Sequence, residues 1–339
     1  MKDIKVAVLG VGRMGQIHCS KINAVNGLKL TAGSSRAQSL TDAVKEKYGI
    51  SVYNSHEKML KESDAEWVVI ATTTDQHKKW ALEAINAGKN IIVEKPVALC
   101  HEDAKEIFTT AEKMGVKATV YQSRRWDLDF TAIKEIMEEK ALGSIYRIES
   151  RYTHFSEGWG GWGAQGKDNP WRLKRAYGGG LLYDWGPHLI DQIVVLLRES
   201  PVAVFGRLEG KIWTKEVDDH FWAELVFKNG ITVRVEASNN YRIPLPRWSI
   251  VGTEGTLQVA GGDPDMWNEV VIRKNLANFK SETRIDIRHG ELSAGFYPAF
   301  TAALKDDRPL PVLRDEVLMS MKVMDAIRES SKSGKAVFL

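Results

Sequence analysis

The sequence lacks most of the features that mark secreted, membrane-spanning or nucleic-acid-binding chains. Only two of its 339 residues are cysteines, Cys19 and Cys100. They form neither a metal-binding nor a redox motif, which favours reduced thiols in the cytosol. No apolar run approaches the ~20 residues of a membrane span, and the first residues lack the apolar stretch of a signal peptide. The 47 basic and 44 acidic residues are spread along the chain and leave a net charge of +3. We therefore expect a cytoplasmic protein that binds neither membranes nor nucleic acid.

The first part of the chain alternates short β-rich runs with helical stretches. Hydrophobic residues make up 43% of the sequence, enough for a sizeable core, and the length suggests about two domains. The predicted strands are Lys5–Leu9, Leu28–Gly33, Trp67–Thr72, Asn90–Val93 and Ala118–Tyr121. The predicted helices between them are Gly15–Val25, Ser39–Tyr48, His56–Glu62, His77–Ala87 and Glu102–Met114. This alternation predicts a doubly wound parallel sheet of the Rossmann type.

The pattern changes after Ser123, where strands begin to follow one another closely. The predicted strands are Ser144–His154, Val202–Ile212, His220–Phe227, Ile231–Ser238, Arg247–Val251 and Thr256–Val259. The predicted helices are Phe130–Lys140, Leu182–Leu197 and Asp315–Ser331. Turns rich in glycine and asparagine between the later strands suit hairpins, so this half is predicted to be an α/β domain with a mainly antiparallel sheet. We expect two domains, residues 1–123 and 124–339.

The strongest motif is the glycine-rich turn Gly10-Val11-Gly12-Arg13-Met14-Gly15. It directly follows the first predicted strand and opens a helix. In that context the glycines permit a tight turn, close approach of the backbone to a pyrophosphate and packing of helix on strand. The helix N-terminus offers N–H groups to the phosphates. The turn is therefore predicted to bind a nicotinamide dinucleotide, through Gly10, Gly12, Arg13, Met14 and Gly15. A glycine-rich turn without a ligand is the alternative.

The end of the second predicted strand indicates which dinucleotide is preferred. An NAD-specific site places Asp or Glu there for the ribose 2′-hydroxyl, whereas this strand ends in Gly33-Ser34-Ser35-Arg36. Two hydroxyls and a guanidinium suit a 2′-phosphate, because arginine offers forked, charged donors. We expect NADP(H) to be preferred over NAD(H), with Ser34, Ser35 and Arg36 as its ligands. The alternative is an ordinary polar loop with a solvated arginine.

Two further segments carry candidate catalytic side chains. Lys95 follows the fourth predicted strand in Glu94-Lys95-Pro96, at the sheet edge where open α/β sheets bind ligands. In a helix after Gly178-Gly179-Gly180, the side chains of Asp184, His188 and Asp191 would recur at i, i+4 and i+7 on one face. Ionisable groups on an otherwise apolar segment are expensive to bury unless they line a site. The structural alternatives are a solvated lysine at a strand end for Lys95, a helix cap for Asp184 and a core histidine for His188.

Together these segments resemble the Gfo/Idh/MocA family of oxidoreductases over nearly the whole chain. The resemblance is carried by Gly10–Gly15, Thr72–His77, Glu94-Lys95-Pro96, Trp171-Arg172 and the Asp184/His188 pair. Gln122–Asp127 and Tyr183–His188 are most similar to the branch that holds NADP-dependent scyllo-inositol dehydrogenases. The resemblance implies a Rossmann domain and a second α/β domain whose open sheet face forms homodimers or homotetramers. It also implies a sugar or cyclitol substrate.

The resemblance also implies roles for individual residues. Lys95 and His188 would be catalytic, supported by Asp184. The dinucleotide would be bordered by Thr72, Thr73, Thr74, His77, Glu94, Lys95, Gln122, Trp171 and Arg172. Substrate hydroxyls would be bound by Lys95, Arg125, His154, Asp184, His188 and Asp191, beside a tryptophan-rich loop from Ser156 to Arg172 that includes Trp159 and Trp162. No metal is expected.

The predicted reaction is hydride transfer between the nicotinamide and a secondary alcohol or ketone of a sugar or cyclitol, in the class EC 1.1.1. His188 would accept the hydroxyl proton near neutral pH, and Lys95 would stabilise the developing alkoxide. The alternatives are an enzyme that retains its cofactor while cleaving a glycoside, a non-catalytic dinucleotide-dependent regulator, and a dehydrogenase of a non-sugar carbonyl compound.

Overall fold

The computed structural model describes residues 3–156, 171–276, 279–288 and 295–339. The chain forms two compact units. The first comprises Met1–Gln122 and Ala294–Leu318, and the second comprises Ser123–Ser293 and Met319–Leu339. No helix of the described ranges is long and apolar enough to cross a bilayer. The tryptophan-rich loop predicted between Ser156 and Arg172 lies almost entirely outside the described residues.

The first unit is built on a six-stranded parallel sheet with the strand order β3-β2-β1-β4-β5-β6. The strands are β1 (Ile4–Leu9), β2 (Leu28–Ser34), β3 (Ser51–Tyr53), β4 (Trp67–Ile70), β5 (Asn90–Val93) and β6 (Ala118–Val120). The helices between them are α1 (Arg13–Asn23), α2 (Gln38–Tyr48), α3 (His56–Glu62), α4 (His77–Asn86) and α5 (His101–Lys113). The predicted Rossmann sheet is confirmed. The short strand β3 was not predicted.

The short apolar runs form central strands because both faces of a parallel sheet are covered by helices. Val6 to Leu9 of β1 and all of β4 are buried. The strand order reverses between β1 and β4, and at such a reversal open α/β sheets form a ligand-binding crevice beyond the carboxyl ends of the strands. The predicted dinucleotide turn follows β1 and therefore begins at this position.

The chain returns to the first unit after residue 294. Helix α9 (Phe296–Lys305) belongs to this return, and its Phe300 ring packs edge-on against Trp67 of β4, with 4.7 Å between ring centroids. Thr119 of β6 donates its hydroxyl to the carbonyl of Val312 at 3.0 Å. The predicted division into 1–123 and 124–339 assigned this segment to the second domain. The structure places it in the first unit, because its apolar side chains cover that unit's sheet.

The second unit contains a nine-stranded sheet with the order β14-β13-β12-β11-β7-β10-β9-β8-β15. Its strands are β7 (Ile145–Thr153), β8 (Ala203–Glu209), β9 (His220–Val226), β10 (Thr232–Ser238), β11 (Trp248–Gly252), β12 (Thr256–Val259), β13 (Glu269–Leu276), β14 (Phe279–Asp286) and β15 (Val337–Phe338). Among the described strands of this sheet, only β7 and β10 pair in parallel. The predicted mainly antiparallel sheet is confirmed, and β13, β14 and β15 were not predicted.

The second unit has two helices where the sequence predicts a single one. Its helices are α6 (Leu128–Glu138), α7 (Leu181–Asp184), α8 (Gly186–Leu197) and most of α10 (Arg314–Ser333). The predicted helix Leu182–Leu197 is interrupted at Trp185. Pro187 lies in the first turn of α8, where its missing N–H is tolerated, but its ring prevents α7 from continuing unbroken through this point.

Candidate active site

The glycine turn leaves open space next to the first turn of α1. A Cβ atom on Gly15 would lie 2.0 Å from the carbonyl oxygen of Gly10, so only glycine lets this helix approach the turn so closely. A Cβ atom on Gly12 would meet no atom within 4 Å, and no side chain caps the helix N-terminus. Arg13 is exposed and Met14 half-buried beside it. The open space and the uncapped amides fit a pyrophosphate.

The three predicted ligands at the end of β2 lie in different environments. The Ser34 side chain is fully buried, and its hydroxyl lies 2.8 Å from Nδ1 of His56. The Ser35 hydroxyl accepts a hydrogen bond from the Ala37 amide at 3.2 Å, and Arg36 is exposed. Ser34 therefore supports the loop from inside, by its hydroxyl and by a carbonyl that accepts from the Gly10 amide. A 2′-phosphate would depend on Ser35 and Arg36.

His77 joins the two loops that follow β4 and β5. Its Nδ1 lies 2.8 Å from the Pro96 carbonyl oxygen and its Nε2 lies 3.2 Å from the Thr72 carbonyl oxygen. Burial lowers the pKa of His77, although both carbonyls oppose the shift. The segment Thr72 to Thr74 and the segment Glu94 to Pro96 are thus fixed to each other, at adjacent strand ends.

Lys95 follows a buried carboxylate. Glu94 Oε2 accepts a hydrogen bond from the Lys95 amide at 3.0 Å, and Glu94 Oε1 lies 2.8 Å from Nε2 of His18. Burial would raise the pKa of Glu94, but the hydrogen bond from His18 and the charge of Lys95 hold it below its usual value. His18 also lies 2.6 Å, by its Nδ1, from the Tyr297 hydroxyl. Buried hydrogen bonds from Tyr297 through His18 to Glu94 therefore support the backbone at Lys95.

Gln122 follows β6 and is only 3% exposed. Its Oε1 atom is buried and has no hydrogen-bond partner within the described ranges of the chain. An unsatisfied buried acceptor costs roughly 1–3 kcal/mol. An amide donor on a bound ligand, such as a nicotinamide carboxamide, would remove this cost. The sequence predicts that Gln122 borders the dinucleotide, and this stays a prediction.

In the second unit, Arg172 and Asp184 lie close together. Arg172 Nε is 3.6 Å from Asp184 Oδ1, and the guanidinium lies over the Trp171 ring, 4.3 Å from its centroid. The predicted residues Trp171, Arg172 and Asp184 are therefore brought into one cluster.

The glycine triplet permits the short helix α7 to begin against a buried aspartate. Gly180 has φ +104°, and a Cβ atom there would lie 2.1 Å from Asp218 Oδ1. Asp218 Oδ2 accepts a hydrogen bond from the Leu182 amide at 2.7 Å. Burial raises the pKa of Asp218 to about 7, against the effect of this amide. Sequence reasoning missed Asp218, which lies far from the triplet along the chain.

The break at Trp185 separates Asp184 from His188. Asp184 ends α7, whereas His188 lies in the first turns of α8. His188 is 8% exposed, and its ring lies edge-on to Trp185, with 5.8 Å between centroids. The three predicted ionisable residues of this segment therefore do not share one continuous helical face.

Arg125 and Asp191, predicted as separate substrate ligands, bind each other. Arg125 Nε donates to Asp191 Oδ2 at 2.8 Å, and Nη2 donates to Oδ1 at 2.6 Å. Both side chains are buried. Next to this pair, Gln192 Nε2 donates to the Arg124 carbonyl at 2.8 Å. These contacts fix α8 to the segment before α6, which positions His188.

His154 lies at the end of β7, with Nε2 2.7 Å from Asn239 Oδ1. The neighbouring Tyr152 ring stacks on Trp185, with 3.4 Å between centroids. Within the parts of the chain that the structure describes, no three His, Cys, Asp or Glu side chains are grouped to hold a metal ion.

One missed residue had a signal in the sequence. Gly15, His18, Cys19 and Ile22 form the buried face of α1, at i, i+3, i+4 and i+7. A histidine within an apolar helical stripe indicates a buried polar partner. The partners Glu94 and Tyr297 could not be read from this spacing, because they come from distant segments.

Comparisons with known proteins cover both units. Residues 4–122 match the oxidoreductase family with an NAD-binding Rossmann fold. Residues 130–258 match the GFO/IDH/MocA C-terminal domain.

Individual relatives span the chain. The scyllo-inositol 2-dehydrogenase (NADP(+)) IolW of Bacillus subtilis is 25% identical over 99% of this chain and 96% of that protein. The D-glucoside 3-dehydrogenase of Escherichia coli is 31% identical over 69% of this chain and 70% of its own. An NAD-binding protein from Listeria innocua has a crystal structure with a TM-score of 0.87, 31% identity and coverage of 99% and 97%. The chain therefore belongs to the GFO/IDH/MocA family of oxidoreductases.

Proposed function

We propose that the protein is an NADP(H)-preferring oxidoreductase that transfers hydride between nicotinamide and a secondary alcohol or ketone of a sugar or cyclitol. The observation that carries this proposal is the carboxyl edge of the first sheet. The glycine turn, the Thr72–Thr74 segment and Lys95 follow β1, β4 and β5, which are neighbours in the sheet. Such an edge brings a dinucleotide and a reactive lysine to adjacent strand ends.

The cofactor would be held by the residues of that edge. The backbone amides of Arg13, Met14 and Gly15, at the N-terminus of α1, would bind the pyrophosphate, and Gln122 Oε1 would accept from the carboxamide. When bound, the nicotinamide supplies the hydride acceptor or donor, and the protein supplies position and electrostatics.

Three side chains would act on the substrate. The Lys95 ammonium would hold the reacting oxygen and stabilise negative charge as it develops there. The His188 imidazole would accept the hydroxyl proton in oxidation and return it in reduction. Asp184 would orient the imidazole or bind a neighbouring hydroxyl.

The cofactor preference rests on the end of β2. Arg36 is exposed and follows Ser35, and no carboxylate stands in the Gly33–Arg36 segment. A guanidinium binds a phosphate through paired charged hydrogen bonds, whereas an NAD-specific ribose contact needs a carboxylate. The relative from Bacillus subtilis bears the name of an NADP-dependent enzyme, which supports the same preference.

The substrate class rests on the names of two relatives, an inositol dehydrogenase and a glucoside dehydrogenase. Tyr152, His154 and Trp185 of the second unit offer aromatic and hydrogen-bonding groups of the kind that bind polyols. We also propose a homodimer or homotetramer formed through the sheet of the second unit.

The proposal is tested by following nicotinamide absorbance with NADP and with NAD across cyclitols, aldoses, anhydrosugars and ketosugars. We expect turnover of at least one cyclitol or sugar, with a higher kcat/KM for NADP. A higher kcat/KM for NAD would contradict the cofactor preference. Cleavage of a glycoside without net formation of reduced cofactor, or cofactor binding without any turnover, would contradict the proposed reaction.

A further inference from the structure

A buried polar chain runs from the backbone of Lys95 to helix α9 within the first unit. Its members are Glu94, His18 and Tyr297, which are 5%, 0% and 2% exposed. Burying a carboxylate, an imidazole and a phenol is expensive unless each is hydrogen-bonded. Each of the three is hydrogen-bonded here, by contacts of 2.6 to 3.0 Å. Apolar side chains would fill this space at a lower cost in free energy, so these buried hydrogen-bonded groups require a functional explanation.

For an ionised Glu94 and a neutral imidazole at His18, each hydrogen bond has one direction. An ionised Glu94 only accepts, so it receives the Lys95 amide proton on one oxygen and the Nε2 proton of His18 on the other. In the imidazole tautomer that carries its proton on Nε2, Nδ1 accepts. Burial holds the pKa of Tyr297 well above its usual value, so the phenol keeps its proton and donates it to Nδ1. One oriented chain therefore ends on the backbone of Lys95.

We propose that His18 and Tyr297 are positioning residues for Lys95. They hold the Glu94 carboxylate charged and aimed at the Lys95 amide, and so fix both the direction of the lysine backbone and the negative charge beside it. The inference rests on the proposed role of Lys95. It gives the returning helix α9 a part in the reaction, although α9 lies far from the dinucleotide motifs in sequence.

A positioning role differs from packing in its dependence on pH. The titratable groups that face Glu94 are His18, His77, Lys95 and Tyr297. Without the Tyr297 hydroxyl, His18 loses the partner that orients its ring toward Glu94. Burial then acts on Glu94 with less opposition, and its pKa rises. Protonation of Glu94 would weaken its hydrogen bond from the Lys95 amide and remove the negative charge beside the lysine, so the acid limb of the kcat/KM profile would move to higher pH.

The protein offers a matched pair of variants for the test. Tyr121 is a second buried tyrosine of this cluster, 3% exposed, and its ring also packs against His18, with 4.5 Å between centroids. Its hydroxyl, however, accepts from Lys21 Nζ at 3.0 Å, whereas the three hydrogen bonds that connect Tyr297, His18 and Glu94 to the Lys95 amide do not use it. Tyr297→Phe and Tyr121→Phe therefore each remove one buried hydroxyl, but only the first interrupts the chain.

The experiment measures kcat, KM and the pH profile of kcat/KM for wild type and both variants, with thermal unfolding as a check of folding. For Tyr297→Phe we expect kcat to fall by about 10-fold, the loss of one buried hydrogen bond, with the cofactor KM unchanged. We expect its acid limb to move up by about one pH unit and Tyr121→Phe to keep the wild-type profile. His18→Gln, whose amide can still donate to Glu94, should retain more activity than His18→Leu.

A second measurement separates this inference from the proposed function. Acetic anhydride labelling of the cofactor-free protein, quantified at Lys95 by mass spectrometry, needs no turnover. A labelling rate that changes several-fold in Tyr297→Phe and not in Tyr121→Phe would support positioning even if no sugar were oxidised. A folded Tyr297→Phe protein with wild-type labelling, kcat and pH profile would overturn the inference.

Discussion

The two units support their candidate site residues with different buried groups. In the first unit the supports are histidines: His18 beneath Glu94, His56 beneath Ser34, and His77 between the loops that follow β4 and β5. In the second unit they are arginines. Arg125 is paired with Asp191 beside α8, and Arg247 is paired with Gln192 of the same helix.

The difference has physical consequences because the two side chains respond differently to burial. A buried imidazole can shed its charge, and burial lowers the pKa of His56 to about 4. A guanidinium keeps its charge: burial lowers the pKa of Arg247 only to about 10. The first unit should therefore be sensitive to acid, whereas the second should be sensitive to loss of a partner.

The largest effect is expected from Arg247→Met in the second unit. The Arg247 side chain is fully buried, with Nε 3.3 Å from Asp129 Oδ2 and Nη1 2.7 Å from the Ser150 hydroxyl. Removing it leaves the Asp129 carboxylate buried without its cation, which costs about 3–5 kcal/mol. Denaturant unfolding followed by tryptophan fluorescence measures the loss, because Arg247 lies over the Trp248 ring.

The control for this prediction is Arg284→Met in the same sheet. Arg284 is 56% exposed and pairs with the part-exposed carboxylates of Glu269 and Glu282. Exposed ion pairs contribute little to stability, so its loss should leave the free energy of unfolding close to the wild-type value. Equal destabilisation by the two substitutions would show that burial does not set the importance of arginines in this unit.

The next largest effect is expected on kcat, from replacing the two proposed catalytic side chains, one from each unit. Lys95→Ala and His188→Ala should each lower kcat by roughly 10²-fold, equivalent to about 2.7 kcal/mol. The control is Lys89→Ala, at the opposite end of β5, where Lys89 Nζ donates to the Ser63 and Ala65 carbonyls. Steady-state kinetics at saturating cofactor gives the comparison. Near-normal turnover in either variant would remove that residue from the mechanism.

The fold of the first unit was predictable because its pattern is local. Parallel strands buried on both faces are short apolar runs, and the predicted ends of β1, β2, β4, β5 and β6 differ from the observed ends by at most two residues. The helix α9 was missed, and nothing in its sequence states that it returns to this unit. That assignment depends on contacts such as Phe300 with Trp67, which join segments far apart in the chain.

The site was predictable where a motif is contiguous and not where its residues pair at long range. The glycine turn and Glu94-Lys95-Pro96 lie at the ends of β1 and β5, as their positions in the sequence indicated. In contrast, the sequence could not show that Arg125 would bind Asp191, or that Ser34 would turn inward to His56. A side chain's type predicts what it can bind, but its neighbours determine what it does bind.

The smallest effect tests the acid sensitivity of the first unit through His56→Asn. The unfolded chain protonates His56 near its usual pKa of 6.5, but the folded chain does so only near about 4, because burial disfavours the charge. Between these values the unfolded state binds more protons, so stability is lost as the pH falls from 6.5 to about 4. We expect wild type to lose roughly 2 kcal/mol more over this range than His56→Asn, which can still hydrogen-bond Ser34. The measurement is urea unfolding at stepped pH, which gives the slope of stability against pH for wild type, for His56→Asn and for the control His101→Asn at a more exposed histidine of the same unit. If His56→Asn kept the wild-type slope, the first unit would owe its acid response to other groups, and the contrast between histidine and arginine supports would fail at this position.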